Sequence, residues 1–139
     1  MTDRLATGYS GTPLPTKLGI RDGSRVLVLG SPIPYARLLG EVPRGVHLVA
    51  RAGPGVDVAH VFCTRKTDML QRLTRLRVAL RPDASIWVSW PKKAAKVPTD
   101  ITEDVIREIA FPLGFVDVKV CAVTDVWSGL KLVVRKELR

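Results

Sequence analysis

The stretch that decides the fold is Arg25-Val26-Leu27-Val28-Leu29-Gly30. Its apolar residues follow one another directly, whereas a strand with one exposed face alternates apolar and polar residues. An uninterrupted apolar strand is typical of a parallel sheet that helices cover on both faces. The stretch therefore predicts the central strand of an α/β domain.

Five further apolar stretches predict the other strands. They lie at 46–49, 56–63, 85–90, 116–123 and 130–135. The last two are joined by the short loop 125–129, and they predict a strand–loop–strand hairpin with Gly129 in its turn. Because a short hairpin makes antiparallel partners and helical crossovers make parallel ones, only the final strand is expected to be antiparallel.

Two helices are predicted to cover the sheet. The first precedes the strand at 85–90, and its apolar stripe consists of Met69, Leu70, Leu73, Leu76 and Leu80. The second spans about 102–111, where Asp100 and Glu103 have the spacing of a capping box at the helix start. We also expect Asp100 and Asp104 to complement the N-terminus of this second helix.

The order of these elements predicts a single Rossmann-like α/β domain at 17–139, preceded by an N-terminal arm at 1–16. Its three-layer sheet is expected to be mostly parallel, with an antiparallel C-terminal hairpin. We expect the first strand to be central and flanked by the second and third. The fourth strand then follows, and after it the sixth, with the fifth at the edge.

The composition is that of a globular protein with a core of its own. Of the 139 residues, 46% are hydrophobic and 25% are charged, which excludes a disordered chain or a disulfide scaffold. No apolar run approaches the roughly 18 residues of a membrane span, and the first residues lack a signal-peptide pattern. Cys63 and Cys121 are expected to be reduced, unbonded thiols. These features predict a cytoplasmic protein without a membrane partner.

Two stretches resemble the class I methyltransferases. Residues 18–30 are similar to the lead-in and first strand of that family, and residues 80–89 to its leucine–basic–proline turn and later strand. The resemblance implies a methyltransferase-like fold, with a glycine-rich loop that approaches the cofactor S-adenosylmethionine and an acidic residue after the second strand that binds its ribose. Here the loop is Gly30-Ser31-Pro32-Ile33-Pro34, and Ala50 and Arg51 stand in the acidic region. We therefore predict no cofactor.

A second resemblance covers nearly the whole chain. Residues 8–14, 87–93, 98–103 and 127–131 are similar to bacterial domain-of-unknown-function family 3052, whose members are short proteins with a YSGTPL arm and a WVSWPKK segment. The resemblance implies a bacterial protein and no particular activity.

Lysine and arginine outnumber aspartate and glutamate by 22 to 13, so the net charge of +9 favours an anionic partner. Ligands of open parallel sheets bind beyond the carboxyl ends of the strands. The candidate ligand-binding residues at those ends are Arg51, Arg65, Lys66, Trp90, Lys92, Lys93 and Trp127. Cations beside indoles suit a phosphate attached to a planar ring. The alternative is that the lysines are solvated loop charges and the tryptophans cover the sheet.

The sequence offers no convincing catalytic or metal-binding residues. His60 and Asp57 are three apart in one strand and so lie on opposite faces, and Ser89 lacks the G-x-S-x-G motif of hydrolases. Two histidines and two distant cysteines give no metal-ligand spacing. We therefore expect a non-catalytic protein that binds an anionic small molecule or a nucleic acid. The alternatives are a methyltransferase with an unusual cofactor pocket and a nucleic-acid accessory protein.

Overall fold

The computed structural model describes residues 11–139. Most of the predicted N-terminal arm therefore lies outside the described residues, as does part of the stretch 8–14. The six strands are β1 (Arg25–Leu29), β2 (His47–Val49), β3 (Val58–Phe62), β4 (Ser85–Pro91), β5 (Phe115–Ala122) and β6 (Trp127–Val134). The α-helices are α1 (Leu14–Leu18), α2 (Tyr35–Leu39), α3 (Lys66–Ala79) and α4 (Glu103–Ala110). Short 3-10 helices occupy Lys93–Ala95, Phe111–Leu113 and Lys136–Leu138.

The strands form one sheet in the order β2-β1-β3-β4-β6-β5. Strands β2, β1, β3 and β4 are parallel neighbours, and β6 is antiparallel to both β4 and β5. Both the predicted strand order and the predicted direction of the final strand are confirmed. The chain has an α/β fold with a mostly parallel, Rossmann-like sheet.

Helices cover the sheet on both faces, which explains the uninterrupted apolar strands. On one side, called the α3/α4 face, Leu27 of β1 packs in a core with Met69 and Ile106. On the other, called the α1/α2 face, Val26 packs with Leu18 and Leu38. Burying an aliphatic side chain of this size contributes about 1.5–3 kcal/mol. Neighbouring residues of β1 thus stabilise two separate layers.

The second strand of the C-terminal hairpin begins earlier than the sequence predicts. Trp127 and Gly129, expected in the loop, belong to β6. Gly129 is buried beside Trp87 and Val123, where a Cβ atom would lie 3.2 Å from the Trp87 ring and 3.1 Å from a Val123 methyl group. Glycine is therefore used here for close packing and not for a turn.

The helix predictions are correct in outline and wrong in detail. Helix α3 buries Met69, Leu73 and Leu76, whereas Leu70 is 44% exposed. Helix α4 begins after Thr102, whose Oγ1 accepts a hydrogen bond from the Val105 amide at 3.1 Å. The predicted capping box from Asp100 is therefore wrong, because Thr102 is the N-cap.

Candidate functional site

The carboxyl ends of the four parallel strands lie along one edge of the sheet, which we call the strand-end edge. Arg51 follows β2, Arg65 and Lys66 follow β3, and Lys92 and Lys93 follow β4. Since β2, β1, β3 and β4 are neighbours in this order, the topology places these five cations on one side of the molecule. All are exposed except Lys92, which is half-buried.

Backbone contacts hold the loops of the strand-end edge together. The Lys92 amide donates to the carbonyl of Val126, in the β5–β6 turn, at 2.7 Å. The Thr99 hydroxyl donates to the Thr64 carbonyl at 2.6 Å, and the Asp100 amide approaches the same oxygen at 3.3 Å. The segment that follows β4 is therefore fastened to the segment that follows β3.

The Asp100 carboxylate caps the start of α3 and not the start of α4, the helix that follows it in the sequence. Its Oδ1 accepts a hydrogen bond from the Lys66 amide at 2.7 Å. The expectation that Asp100 complements α4 is therefore wrong, although Asp104 does lie in the first turn of α4, where it pairs with Arg107. Because a carboxylate already accepts from the Lys66 amide, this amide is not free to bind an anion.

The two tryptophans do not form a cage around these cations. Trp90 is only 8% exposed and packs in the α3/α4 core. Trp127 is half-buried against the other core, where its ring meets Phe62 edge-on at 5.4 Å between centroids. This placement removes Trp90 from the candidate site and leaves Trp127 beside Val126, which binds the Lys92 amide.

The loop after β1 does not fit S-adenosylmethionine. Pro32 and Pro34 have no amide hydrogen to donate, and the Ser31 hydroxyl donates to the Ile33 carbonyl within the loop at 2.6 Å. Gly30 is required by the fold itself, because its φ is +77° and a Cβ atom would lie 2.7 Å from the Phe62 carbonyl oxygen. Its presence is therefore no sign of a cofactor site.

The region after β2 also lacks the group that would hold a ribose. Ala50 and Arg51 are both exposed there, and neither side chain can accept a hydrogen bond from a ribose hydroxyl. The chain then turns through 53–56, with the Val56 amide bonded to the Gly53 carbonyl at 3.2 Å, and enters β3. The residues present therefore do not fit the cofactor that the fold implies.

A buried chain of polar side chains crosses the α1/α2 face, which the sequence did not predict. The Tyr35 hydroxyl lies 2.6 Å from Nδ1 of His60, and Nε2 of His60 lies 2.7 Å from the Ser89 hydroxyl. His60 and Ser89 are completely buried and Tyr35 is 5% exposed. A substrate has no access to this Ser–His pair, so we assign it to the core.

Burial also determines the protonation states of His60 and Tyr35. It lowers the pKa of His60 to about 3, so the imidazole is neutral at physiological pH. It raises the pKa of Tyr35, which keeps the phenol protonated. Asp57, which precedes β3, has other partners: it accepts from the Arg25 amide at 2.8 Å and pairs with Arg81 at 3.1 Å.

Within residues 11–139, no group of three or more histidine, cysteine, aspartate or glutamate side chains could hold a metal ion. Cys63 and Cys121 are free, and they lie at the ends of strands β3 and β5, which β4 and β6 separate. None of the helices in the described part of the chain is both long enough and apolar enough to cross a membrane.

Comparison with solved structures places this architecture among methyltransferases. A SAM-dependent methyltransferase from Aquifex aeolicus is 16% identical, with a TM-score of 0.65 over 86% of this chain and 87% of that one. A protein from Sulfolobus solfataricus described as a type 11 methyltransferase is 16% identical, with a TM-score of 0.63 over 88% and 90%. The chain has a methyltransferase-like fold. The protein described as a methyltransferase in a complex with the Haloferax volcanii Trm112 activator is also similar, at 11% identity and a TM-score of 0.62 over 87% and 86%.

No family model matches the chain, and no curated protein matches its sequence. At 11–16% identity these likenesses establish the fold alone. What the chain binds must therefore be argued from its own residues.

Proposed function

We propose that this protein binds a phosphate-bearing ligand at its strand-end edge and does not transfer methyl groups. The proposal rests on the side chains at that edge, which differ from the cofactor-binding residues that the fold implies. Where the fold implies a glycine-rich loop and an acidic residue, the chain has Pro32, Pro34 and Arg51. The neighbouring strand ends add Lys66 and Lys92. Groups suited to a cationic cofactor with a ribose are thus replaced by groups suited to an anion.

The cations of the edge are not engaged in ion pairs by carboxylates that the structure describes. In residues 11–139, none of the five cations takes part in an ion pair within 4 Å. Asp100 is close by, but it is engaged by the Lys66 amide. A phosphate bridging the loops after β3 and β4 would gain charge-assisted hydrogen bonds, each worth about 1.5–3 kcal/mol. The fastened loops reduce the entropy lost when the ligand binds.

Titration with ATP tests this proposal, with tryptophan fluorescence as the readout. Trp127 reports on the edge because it adjoins Val126, the partner of the Lys92 amide. We expect saturable binding with a dissociation constant below about 1 mM, weakened at least about tenfold by Lys92→Glu with Lys93→Glu. A short single-stranded oligonucleotide, titrated in parallel, distinguishes a nucleic-acid ligand by its steeper salt dependence.

The matched control is Arg75→Glu with Lys136→Glu, which changes the net charge equally at two other exposed positions. The control variant should retain wild-type affinity. If both double variants weaken binding equally, the effect is only that of net charge. Equal responses of wild type and the edge variant would overturn the proposal, as would the absence of saturation below about 1 mM.

The second candidate function is methyl transfer, and the structural likeness to methyltransferases is the observation that favours it. Calorimetry with S-adenosylmethionine tests it directly. Each of the two missing recognition elements costs about 1–3 kcal/mol of binding free energy, so we expect at least about a thirtyfold loss of affinity. Saturable binding at micromolar concentration, or methyl transfer to any acceptor, would favour the enzyme.

A further inference from the structure

Two lysines face each other directly on the C-terminal hairpin. Lys119 of β5 and Lys131 of β6 are register partners, so their side chains project from the same face of the sheet. Lys131 is also the partner of Trp87 in β4, whose side chain belongs to the α1/α2 core. The two ammonium groups therefore lie on the α1/α2 face, away from the strand-end edge.

This pairing is unfavourable in the free protein. Like charges directly opposite each other on neighbouring strands are destabilising. Lys131 is half-buried, and its pKa is lowered by burial and then by the charges of Lys119 and Arg21. Lys131 is thus close to two other cations, Lys119 and Arg21, and it has lost part of the solvation that these two exposed side chains retain.

Lys17 extends this cluster, and none of the four cations forms an ion pair among the described residues. Lys17 of α1 donates to the Ala122 carbonyl of β5 at 3.4 Å, which brings a fourth cation to the same face. Among residues 11–139, no aspartate or glutamate lies within ion-pair distance of Lys17, Arg21, Lys119 or Lys131. An external anion is the partner that this arrangement lacks.

Lys131 and Arg21 also line a polar cleft of about 460 Å³, together with the hydroxyl-bearing Ser24 and Ser85. Three carboxylates line the same cleft: Asp22, Asp57 and Asp83. Arg81 pairs with Asp57 at 3.1 Å and with Asp83 at 3.0 Å, so one arginine partly compensates these two carboxylates. With Arg21, Arg81 and Lys131 against three carboxylates, the lining has no net formal charge, so the excess positive charge on this face comes from Lys119, which does not line the cleft.

We propose that Lys119, Lys131 and Arg21 form a second anion site, which takes a phosphate group on the α1/α2 face. A phosphate between the two ammonium groups replaces their repulsion with two charge-assisted hydrogen bonds. The guanidinium of Arg21 adds planar donors that match phosphate oxygens. This site is independent of the strand-end edge, since no residue is shared.

Acetylation footprinting with inorganic tripolyphosphate as the probe tests the site lysine by lysine. The full chain is treated with an N-hydroxysuccinimide acetate with and without the probe, at equal ionic strength, and each lysine is quantified by mass spectrometry. We expect tripolyphosphate to slow acetylation of Lys119 and Lys131 at least about fivefold, because an ion-paired amine is a poor nucleophile. Lys136, exposed in the C-terminal 3-10 helix, is the internal control and should not change.

Variants separate this site from the strand-end edge. Lys119→Gln should remove the protection of Lys131 and should raise the melting temperature of the free protein, because a repulsion is lost. Lys92→Glu with Lys93→Glu should leave the protection of Lys119 and Lys131 unchanged, even if ATP binding at the edge fails. Equal slowing at Lys136, or no protection up to about 10 mM probe, would overturn the second site.

A ten-nucleotide single-stranded DNA distinguishes the two sources of phosphate. If it protects Lys119 and Lys131 at lower concentration than tripolyphosphate, with a steep loss at high salt, the phosphate belongs to a nucleic-acid backbone. If only tripolyphosphate protects them, the ligand is a small phosphate compound. Protection by neither probe contradicts the proposal.

Discussion

The imidazole of His60 lies in the middle of β3 and hydrogen-bonds to side chains from α2 and β4. It also stacks on Phe62, with ring centroids 4.2 Å apart. A neutral imidazole can satisfy both neighbours, since one ring nitrogen donates and the other accepts. A protonated imidazole would place an unpaired charge in the core.

His60 therefore makes the protein sensitive to acid. Its pKa is about 3 in the folded chain and about 6.5 in an unfolded one, so between these values only the unfolded state binds the proton. We expect the free energy of unfolding to fall by up to about 1.4 kcal/mol per pH unit as the pH decreases below about 6.5. Urea denaturation at a series of pH values measures this slope.

Two variants assign that slope to one residue. His60→Asn should remove most of it, whereas His47→Asn should retain it, because His47 is exposed in the edge strand β2. The Asp57 carboxyl does not produce this slope. The Arg25 amide and Arg81 lower its pKa in the folded protein, so its contribution to the free energy of unfolding is lost only below about pH 4. A flat profile between about pH 7 and pH 5 would contradict the burial of a neutral His60.

Gly30 is a second residue whose structural role can be tested by substitution. A left-handed backbone costs alanine about 1–2 kcal/mol, and the Phe62 carbonyl adds a steric clash at Gly30. Gly23 has almost the same φ, +78°, but a Cβ atom there meets nothing within 4 Å. We expect Gly30→Ala to lower the free energy of unfolding by at least about 1 kcal/mol more than Gly23→Ala does. Equal losses in denaturation would contradict the close approach of β1 and β3.

At the scale of elements, the long apolar patterns were predictable from the sequence. Strands β1, β3 and β4 are largely buried and mostly apolar, while α3 and α4 show helical spacing. Helix α2 was not predicted, because five residues after Pro34 are too few for periodicity and no side chain caps them. Gly129 was misplaced because its role depends on Trp87, 42 positions earlier in the sequence.

The capping of α3 and α4 yields a prediction for these elements. Asp100→Ala should destabilise the first turn of α3, since Asp100 accepts from the Lys66 amide, and Thr102→Ala should destabilise the first turn of α4. Losing a cap costs about 1 kcal/mol. Amide hydrogen exchange should therefore accelerate at 66–69 in the first variant and at 103–106 in the second. Acceleration of α4 by Asp100→Ala instead would restore the capping-box prediction.

At the scale of the whole molecule, strand order could be predicted because handedness and hairpin rules leave few topologies. That order also predicted which loops share the strand-end edge. Two features of the site could not be predicted. The tryptophans point to opposite faces, which depends on the exact strand register. The Tyr35–His60–Ser89 side chains come from three elements. Tyr35 and His60 are 25 positions apart and His60 and Ser89 are 29 apart, so no local sequence pattern indicates their contact.

Under the proposed function, this methyltransferase-like architecture binds a phosphate-bearing ligand. Its cofactor loop is stiffened by prolines, and its strand ends present cations. A net charge of +9 attracts anions over distances of about one Debye length, roughly 8–10 Å at physiological salt. The fold supplies the edge, and the side chains at the strand ends decide which ligand it accepts.

An amide chemical-shift map of the 15N-labelled protein, with ATP and S-adenosylmethionine added in separate titrations, shows which of the two ligands the strand-end edge binds. We predict that ATP shifts the amides of Arg65, Lys66, Lys92 and Lys93 saturably, while about 1 mM S-adenosylmethionine leaves the amides of Gly30, Ser31 and Tyr35 unmoved. Saturable shifts at 30–35 with micromolar S-adenosylmethionine, and none at the lysines with ATP, would contradict the account.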